Sequence, residues 1–535
     1  MRSMRDTFGR LPGLIVALVL LFSSGAGVFG DVRLPAVIGD NMVLQRGMQV
    51  PIWGWAAPGE RVKVGGSWGS EIWEARAGKD GKWTVKIGVP AAGGPYEMTV
   101  SGKNTVTVKN ILVGEVWVCS GQSNMRMGVG LVTNARSEIA NANYPEIRLF
   151  DVPLKSAGEA AEDVEAEWRI CSSKNISTDN IWEGWPRGFS AVAYFFGREI
   201  HKELGVPVGL IASSWGGTRI EPWTPPEGFE LVPELSEVSK QIEQAKGAYK
   251  EGAAEEIAKF EKWLAGSKFA LVGGKVVSAP PAWPKHPLDS NKKPTGLYNG
   301  MIHPLVPFGI RGALWYQGEA NLGDGMLYHE KMKALIGGWR AVWGQGDFPF
   351  YYVQLAPYRY RWGQPRPYRL AEIWEAQMAS LSIPNTGMAV TVDISDLEDI
   401  HPKNKQEVGR RLALWALAKT YDQCEVVYSG PLYKSMAVEG EKVRISFEHV
   451  GGGLRTSDGR EPDWFEIAGA DGKFVKGEAK IEGETVVVRS DEVKEPKAVR
   501  FGWHEEAEPS LMNKEGLPAS PFRTYDWCGI TADKR

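Results

Sequence analysis

The chain is poor in cysteine and histidine: its 535 residues hold four Cys and seven His. Cys119, Cys171, Cys424 and Cys528 form no C-x-x-C pair, so neither a zinc ribbon nor a thioredoxin-type redox site is encoded. An excess of one charge is also missing, with 62 basic against 65 acidic side chains and a formal charge of −3. Nucleic acid and anionic membrane surfaces call for a clustered basic excess, so neither is an expected partner. Several catalytic signatures are absent: the G-x-S-x-G elbow, the phosphate-binding P-loop and H-E-x-x-H. Gly128-Val-Gly130 lacks the third glycine of a dinucleotide fingerprint. After residue 30, no run reaches the ~18 apolar residues of a membrane span.

What is present describes a folded chain, 43 % hydrophobic and 24 % charged, with 22 Trp and 63 Gly. At about 150 residues per domain its length predicts three or four domains, with a core that needs no metal or disulfide to form. The first thirty residues read as a signal peptide. Arg2, Arg5 and Arg10 precede the apolar run Leu11 to Phe22, and Val28 and Gly30 suit a cut before Asp31. A soluble protein, secreted or periplasmic, is expected. Four Cys in such a compartment allow three full pairings, and isolated buried thiols are the other reading.

Residues 31–110 alternate short strands with turns such as Ala57-Pro-Gly59 and Lys79-Asp-Gly81, the pattern of a β-sandwich. From Ile111 to about 428, strands alternate with helices, which predicts a parallel sheet covered on both faces. Within this stretch, residues 225–290 carry two helical apolar patterns, Leu235 to Tyr249 and Ile257 to Leu264, expected to pack as a helical hairpin. Its readings are a surface elaboration or a lid. Lys405 to Tyr421 reads as a closing helix, and strand patterns return over 429–535.

Four strand ends concentrate polar residues, where α/β sheets gather reactive groups. Cys119-Ser-Gly-Gln-Ser-Asn-Met125 offers Ser120 and Ser123, which need a base to become nucleophiles. Ser213-Ser-Trp-Gly-Gly-Thr-Arg219 has glycines whose N–H groups suit an oxyanion hole. Trp315-Tyr-Gln-Gly-Glu-Ala-Asn321 supplies Gln317 or Asn321 as oxyanion donors and Glu319 as an acid to orient a base; a structural hydrogen-bonded network is the alternative. Asp393 to Pro402 places His401 beside Asp399 and Glu398, which suits a base held in one tautomer. The same acidic run, Asp393, Asp396, Glu398 and Asp399, is the oxygen-rich set a calcium ion would take. His303 is the rival base.

In this order the motifs resemble the sialate O-acetylesterase family. They run from Gly39-Asp-Asn-Met-Val-Leu-Gln-Arg46 and Trp53-Gly-Trp55 through Gly114-Glu-Val-Trp117, Ser120-Gly-Gln-Ser-Asn-Met125 and Trp215-Gly-Gly-Thr218. Leu297-Tyr-Asn-Gly-Met301, Trp315-Tyr-Gln-Gly-Glu319, Asp399-Ile-His-Pro402 and Gly516-Leu-Pro-Ala-Ser-Pro-Phe-Arg-Thr524 complete the series. The resemblance implies an α/β, SGNH-hydrolase-like three-layer domain with a parallel sheet, flanked by N-terminal and C-terminal β domains.

The resemblance also implies roles. Ser123 becomes the nucleophile and His401 the general base. The Ser123 and Gly217 N–H groups with the Gln317 side chain form the oxyanion hole. Asp399 ranks first as the orienting acid, ahead of Glu398 and Glu319, with Asn321 and Arg219 as substrate or supporting residues. The implied activity is removal of O-acetyl groups from a carbohydrate, with no cofactor and no metal. The sugar is left open between sialic acid and xylan- or pectin-type glycans. A non-catalytic glycan-binding protein on the same scaffold is the competing class, and a peptidase a weaker third.

Overall fold

The strand Thr105–Gly121 organises the molecule, and its sequence says why. Its first half alternates polar and apolar residues, while Ile111 to Gly121 is buried without interruption. An alternating strand has one wet face, and a continuously buried one is covered on both. A computed structural model describes residues 31–177, 187–360 and 368–526. In it the first half of this strand pairs antiparallel with Gly93–Ser101 of the N-terminal β unit. The second half is the centre of a parallel sheet, between Val208–Ser214 and Gly312–Tyr316. The boundary expected at 110/111 thus lies inside one continuous strand.

The central sheet runs Thr386–Ala389, Phe350–Val353, Gly312–Tyr316, Thr105–Gly121, Val208–Ser214, Tyr144–Asp151, Trp168–Cys171. The last strand alone is antiparallel to its neighbour. Consecutive strand residues point to opposite faces. Phe350 meets Trp339 of the helix Leu327–Trp343, and Tyr351 meets Trp415 of the helix Lys405–Lys419. Helices therefore cover both faces, giving the expected three layers. Chain order reverses on either side of Thr105–Gly121, so the switch point where α/β sheets bind ligands lies at the carboxyl end of that strand.

Side chains lock the N-terminal unit to the sheet. The buried Glu115 carboxylate accepts from Gln45 at 3.0 Å, from Arg311 Nε at 2.6 Å and from Arg46 Nε. After residue 429 the chain builds two four-stranded antiparallel sheets and one two-stranded sheet. This region docks through Gln354–Ser520 at 2.8 Å and Arg523–Glu375 at 2.7 Å.

The expected helical hairpin is corrected: residues Ser236–Val272 form one helix. Gly247 lies near the end of the first apolar pattern and Gly252 between the two, both facing open space. A glycine in an exposed helix costs about 1 kcal/mol without breaking it. The first turns are anchored by Leu235 and Ile242 against Phe229, Val232 and Leu288. The chain then returns along the helix, with Trp263 Nε1 bonded to Ser278 O at 2.9 Å and Trp283 Nε1 to Tyr249 Oη at 3.1 Å. Among the described residues Cys119, Cys171 and Cys424 are free thiols; Cys528 and the expected signal peptide lie outside them. No helix among the described residues is long and apolar enough to cross a membrane.

Candidate active site

Gly121 ends the central strand with φ 140°, and any Cβ there would come within 2.2 Å of Tyr316 O. This glycine lets the chain turn sharply into a short helix, Ser123–Arg126. Ser123 opens the helix above the sheet. Its hydroxyl lies 2.9 Å from His401 Nε2. On the other side of the ring, His401 Nδ1 lies 3.3 Å from Asp399 Oδ1, which also accepts the His401 backbone N–H at 3.0 Å. Three residues from two strand ends, 278 positions apart, form a hydroxyl–imidazole–carboxylate line. The His401 side chain is 24 % exposed. Burial lowers its pKa from the ordinary value, against the opposing pull of Asp399, so the ring is neutral and basic near pH 7.

The glycine loop lies alongside. Trp215 N–H donates to Gly121 O at 3.1 Å, and a Cβ on Gly216 would sit 3.5 Å from that of Ser123. Gly217 has φ 71°, in the left-handed region that favours glycine. Neither the Ser123 nor the Gly217 N–H has a protein acceptor among the described residues. Two such donors beside the Ser123 hydroxyl have the chemistry an oxyanion hole requires.

Several expected roles change. Gln317 is fully buried, and its amide donates to Thr218 O at 3.0 Å and Asn321 Oδ1 at 2.8 Å. Both hydrogens are committed to holding the glycine loop, so Gln317 is no oxyanion donor. Asn321 is equally buried, bonded to Glu221 and Asp324. Arg219 pairs with the same two carboxylates at 2.9 Å each, and Lys331 joins them, so Asn321 and Arg219 brace the loop. Glu398 turns outward to Arg359, leaving Asp399 to face the imidazole. Glu319 accepts from Gln122 and from Asn124 Nδ2 at 2.6 Å, not from His401.

The calcium reading loses its ligands in the same way. Asp393 is held by Arg411 through two bonds of 2.6 Å, Glu398 by Arg359 and Asp399 by His401, so the carboxylates diverge. His303 bonds through Nδ1 to Ala161 O at 2.8 Å and packs on Tyr298. Ser120 is fully buried within the central strand.

Two residues beneath the site were not singled out from the sequence. Asn124 Nδ2 also donates to Ile400 O at 3.0 Å, and its Oδ1 accepts from Lys405 Nζ at 2.6 Å. Lys405 is fully buried, its ammonium 5.1 Å from the centre of the Tyr316 ring. Burial brings its pKa down to about 7 despite Glu319 and Asp399 nearby, and burial pushes the Glu319 carboxyl up. One signal did exist for Lys405. It is the first residue of its helix, where the helix dipole opposes a cation.

A family model described as "Carbohydrate esterase, sialic acid-specific acetylesterase" matches residues 113–256 and 273–418. The chain belongs to this family. It is 31 % identical over 472 residues to the sialate O-acetylesterase of Homo sapiens, covering 81 % of this chain and 79 % of that one. The Mus musculus sialate O-acetylesterase is 32 % identical over 462 residues, with 80 % of each covered. A solved carbohydrate acetylesterase from Xanthomonas citri superposes with a TM-score of 0.76 at 34 % identity, covering 93 % of this chain and all of that one. As a member of this family the chain is a carboxylic ester hydrolase that deacetylates carbohydrates.

Proposed function

We propose that the protein is an exported serine esterase that removes O-acetyl groups from carbohydrates through an acyl-enzyme on Ser123. The observation that carries this reading is the Ser123–His401 contact of 2.9 Å with Asp399 behind the imidazole. A serine hydroxyl becomes a nucleophile only when an adjacent base takes its proton. His401 Nε2 takes that proton as Ser123 Oγ attacks the acetyl carbonyl, while Asp399 stabilises the imidazolium. The Ser123 and Gly217 N–H groups receive the oxyanion. His401 then protonates the departing sugar oxygen, and the sugar alcohol leaves acetyl-Ser123. Water deprotonated by the same ring attacks the acetyl carbonyl, the bond to Ser123 Oγ breaks as His401 returns the proton to that oxygen, and acetic acid leaves and ionises to acetate. Export rests on the basic, apolar and small-residue pattern of the first thirty residues.

The names of the mammalian relatives support an O-acetylated sialic acid as substrate, and that of the bacterial neighbour supports acetylated carbohydrates more broadly. The intact hydroxyl–imidazole–carboxylate line favours catalysis over glycan binding alone. Ser123→Ala is expected to abolish acetate release from p-nitrophenyl acetate and from acetylated glycans with the melting temperature unchanged. Mass spectrometry of the acid-quenched wild type is expected to find an acetyl adduct on Ser123. Full activity in Ser123→Ala would overturn the reading.

A further inference from the structure

A cleft of about 990 Å³ opens at the carboxyl end of the strand Tyr144–Asp151. The two legs of the connection leading to Trp168–Cys171 line it, together with Arg126 and with Arg33 of the N-terminal unit. Its position relative to the reactive serine follows from sheet order. One strand, Val208–Ser214, separates Tyr144–Asp151 from the strand that ends before Ser123. Two strand spacings of ~4.8 Å place the cleft about 10 Å to the side, at the same end of the sheet. Arg126, the last residue of the helix that Ser123 opens, marks the border, and its Nη1 donates to Ser214 O at 2.9 Å.

The lining has a definite chemistry. Four basic side chains, Lys155 among them, line it with four carboxylates, and Arg33 pairs with Asp163 at 3.3 Å and Arg169 with Asp151 at 3.9 Å. Four against four leaves no net field to attract an anion. Pro153, Leu154, Val164 and Ala166 add apolar surface between the charges. Charged donors and acceptors suit hydroxyl groups, and apolar patches suit the C–H faces of sugar rings. The volume lies at the top of the about 300–1,000 Å³ range of small-molecule sites, which leaves room for more than a single small ring.

We propose that this cleft binds the uncharged sugar chain carrying the acetyl group, so that the substrate is an acetylated neutral oligo- or polysaccharide. The inference deepens, and rests on, the esterase reading above. The acetylated unit sits at Ser123, and the units beside it pass over Ser214 and Arg126 into the cleft. Binding is measured apart from catalysis, in the Ser123→Ala protein, by calorimetric titration with unacetylated β-1,4-linked tetramers of xylose, glucose and mannose. At least one tetramer is expected to bind at least tenfold more tightly than its monosaccharide. That affinity is expected to fall at least tenfold when Lys155→Ala and Arg169→Ala are added. If the double variant melts early, Lys155→Ala alone, at an exposed position, carries the comparison. No tetramer binding, equal affinity after the substitutions, or tighter binding of N-acetylneuraminic acid would overturn the proposal. Tetramer binding with no acetate release by the wild type from any acetylated substrate would overturn the esterase reading instead and support the cleft as a glycan site.

Discussion

The side chain of Asn124 donates to Ile400 O at 3.0 Å, joining the residue after Ser123 to the residue before His401. The two halves of the Ser123–His401 contact are thereby held by one amide. Lys405 Nζ at 2.6 Å and Glu319 at 2.6 Å fix which way that amide points. An error of about 1 Å in such a pair costs on the order of 10²-fold in rate. Asn124→Ala is therefore expected to lower kcat about 10²-fold with little change in KM. It also strips the buried Lys405 of its acceptor, which costs about 2–3 kcal/mol of stability. Steady-state kinetics and urea denaturation check both. A variant with wild-type kcat would remove Asn124 from the positioning of the site.

The proposed role of His401 as base sets the pH profile, since an imidazole takes a proton only when neutral. Burial lowers its pKa below the ordinary 6.5. The acid limb of kcat/KM is therefore expected to fall through a midpoint below 6.5, with a slope of one, when measured over roughly pH 4.5 to 8.

Lys405→Met tests the charge beneath the imidazole. The Lys405 ammonium disfavours protonation of His401, so its removal stabilises the imidazolium and moves the acid midpoint upward. A purely structural lysine would change the rate and leave the midpoint in place.

Asp399→Asn removes the charge that raises the His401 pKa and leaves the imidazolium without its partner. A fall in kcat on the order of 10³-fold is expected, with the acid midpoint moving down. Glu398→Gln, which alters a contact with Arg359, is expected to stay within about threefold of wild type. The reverse ranking in parallel assays would reassign the orienting acid.

Glu115→Gln tests the junction with the N-terminal unit. It leaves Arg46 and Arg311, each about one-third exposed, without their buried counter-charge. A loss of about 2 kcal/mol is expected, below the value for a fully buried pair because water screens the two guanidinium groups. Urea denaturation measures the loss, and faster proteolysis within residues 31–110 would accompany it.

Ser123 and His401, which lie 2.9 Å apart in the fold, stood out as candidates because each follows a strand in a short polar run that packing alone does not explain. The three layers were legible for a related reason: strands buried on both faces are continuously apolar, as in Val208 to Ala212, before the two serines that end the strand. The helix Ser236–Val272 was not. Apolar spacing is the same in one long helix as in two short ones, and Gly247 and Gly252 interrupt the pattern without ending the helix.

By itself, then, the sequence determined the strand ends, the hydroxyl and the imidazole, all written in local composition. Tertiary structure alone decided where the amides and charges between them point. Gln317 and Asn321 have the chemistry of oxyanion donors, yet burial commits them to Thr218, Glu221 and Asp324. Glu398 and Asp399 are neighbours of one type, and the placement of Arg359 and His401 separates their roles. Lys405 reaches Asn124 across 281 positions. A polar side chain's partner is set by whichever group the fold brings within about 3 Å, and sequence spacing carries no record of that distance.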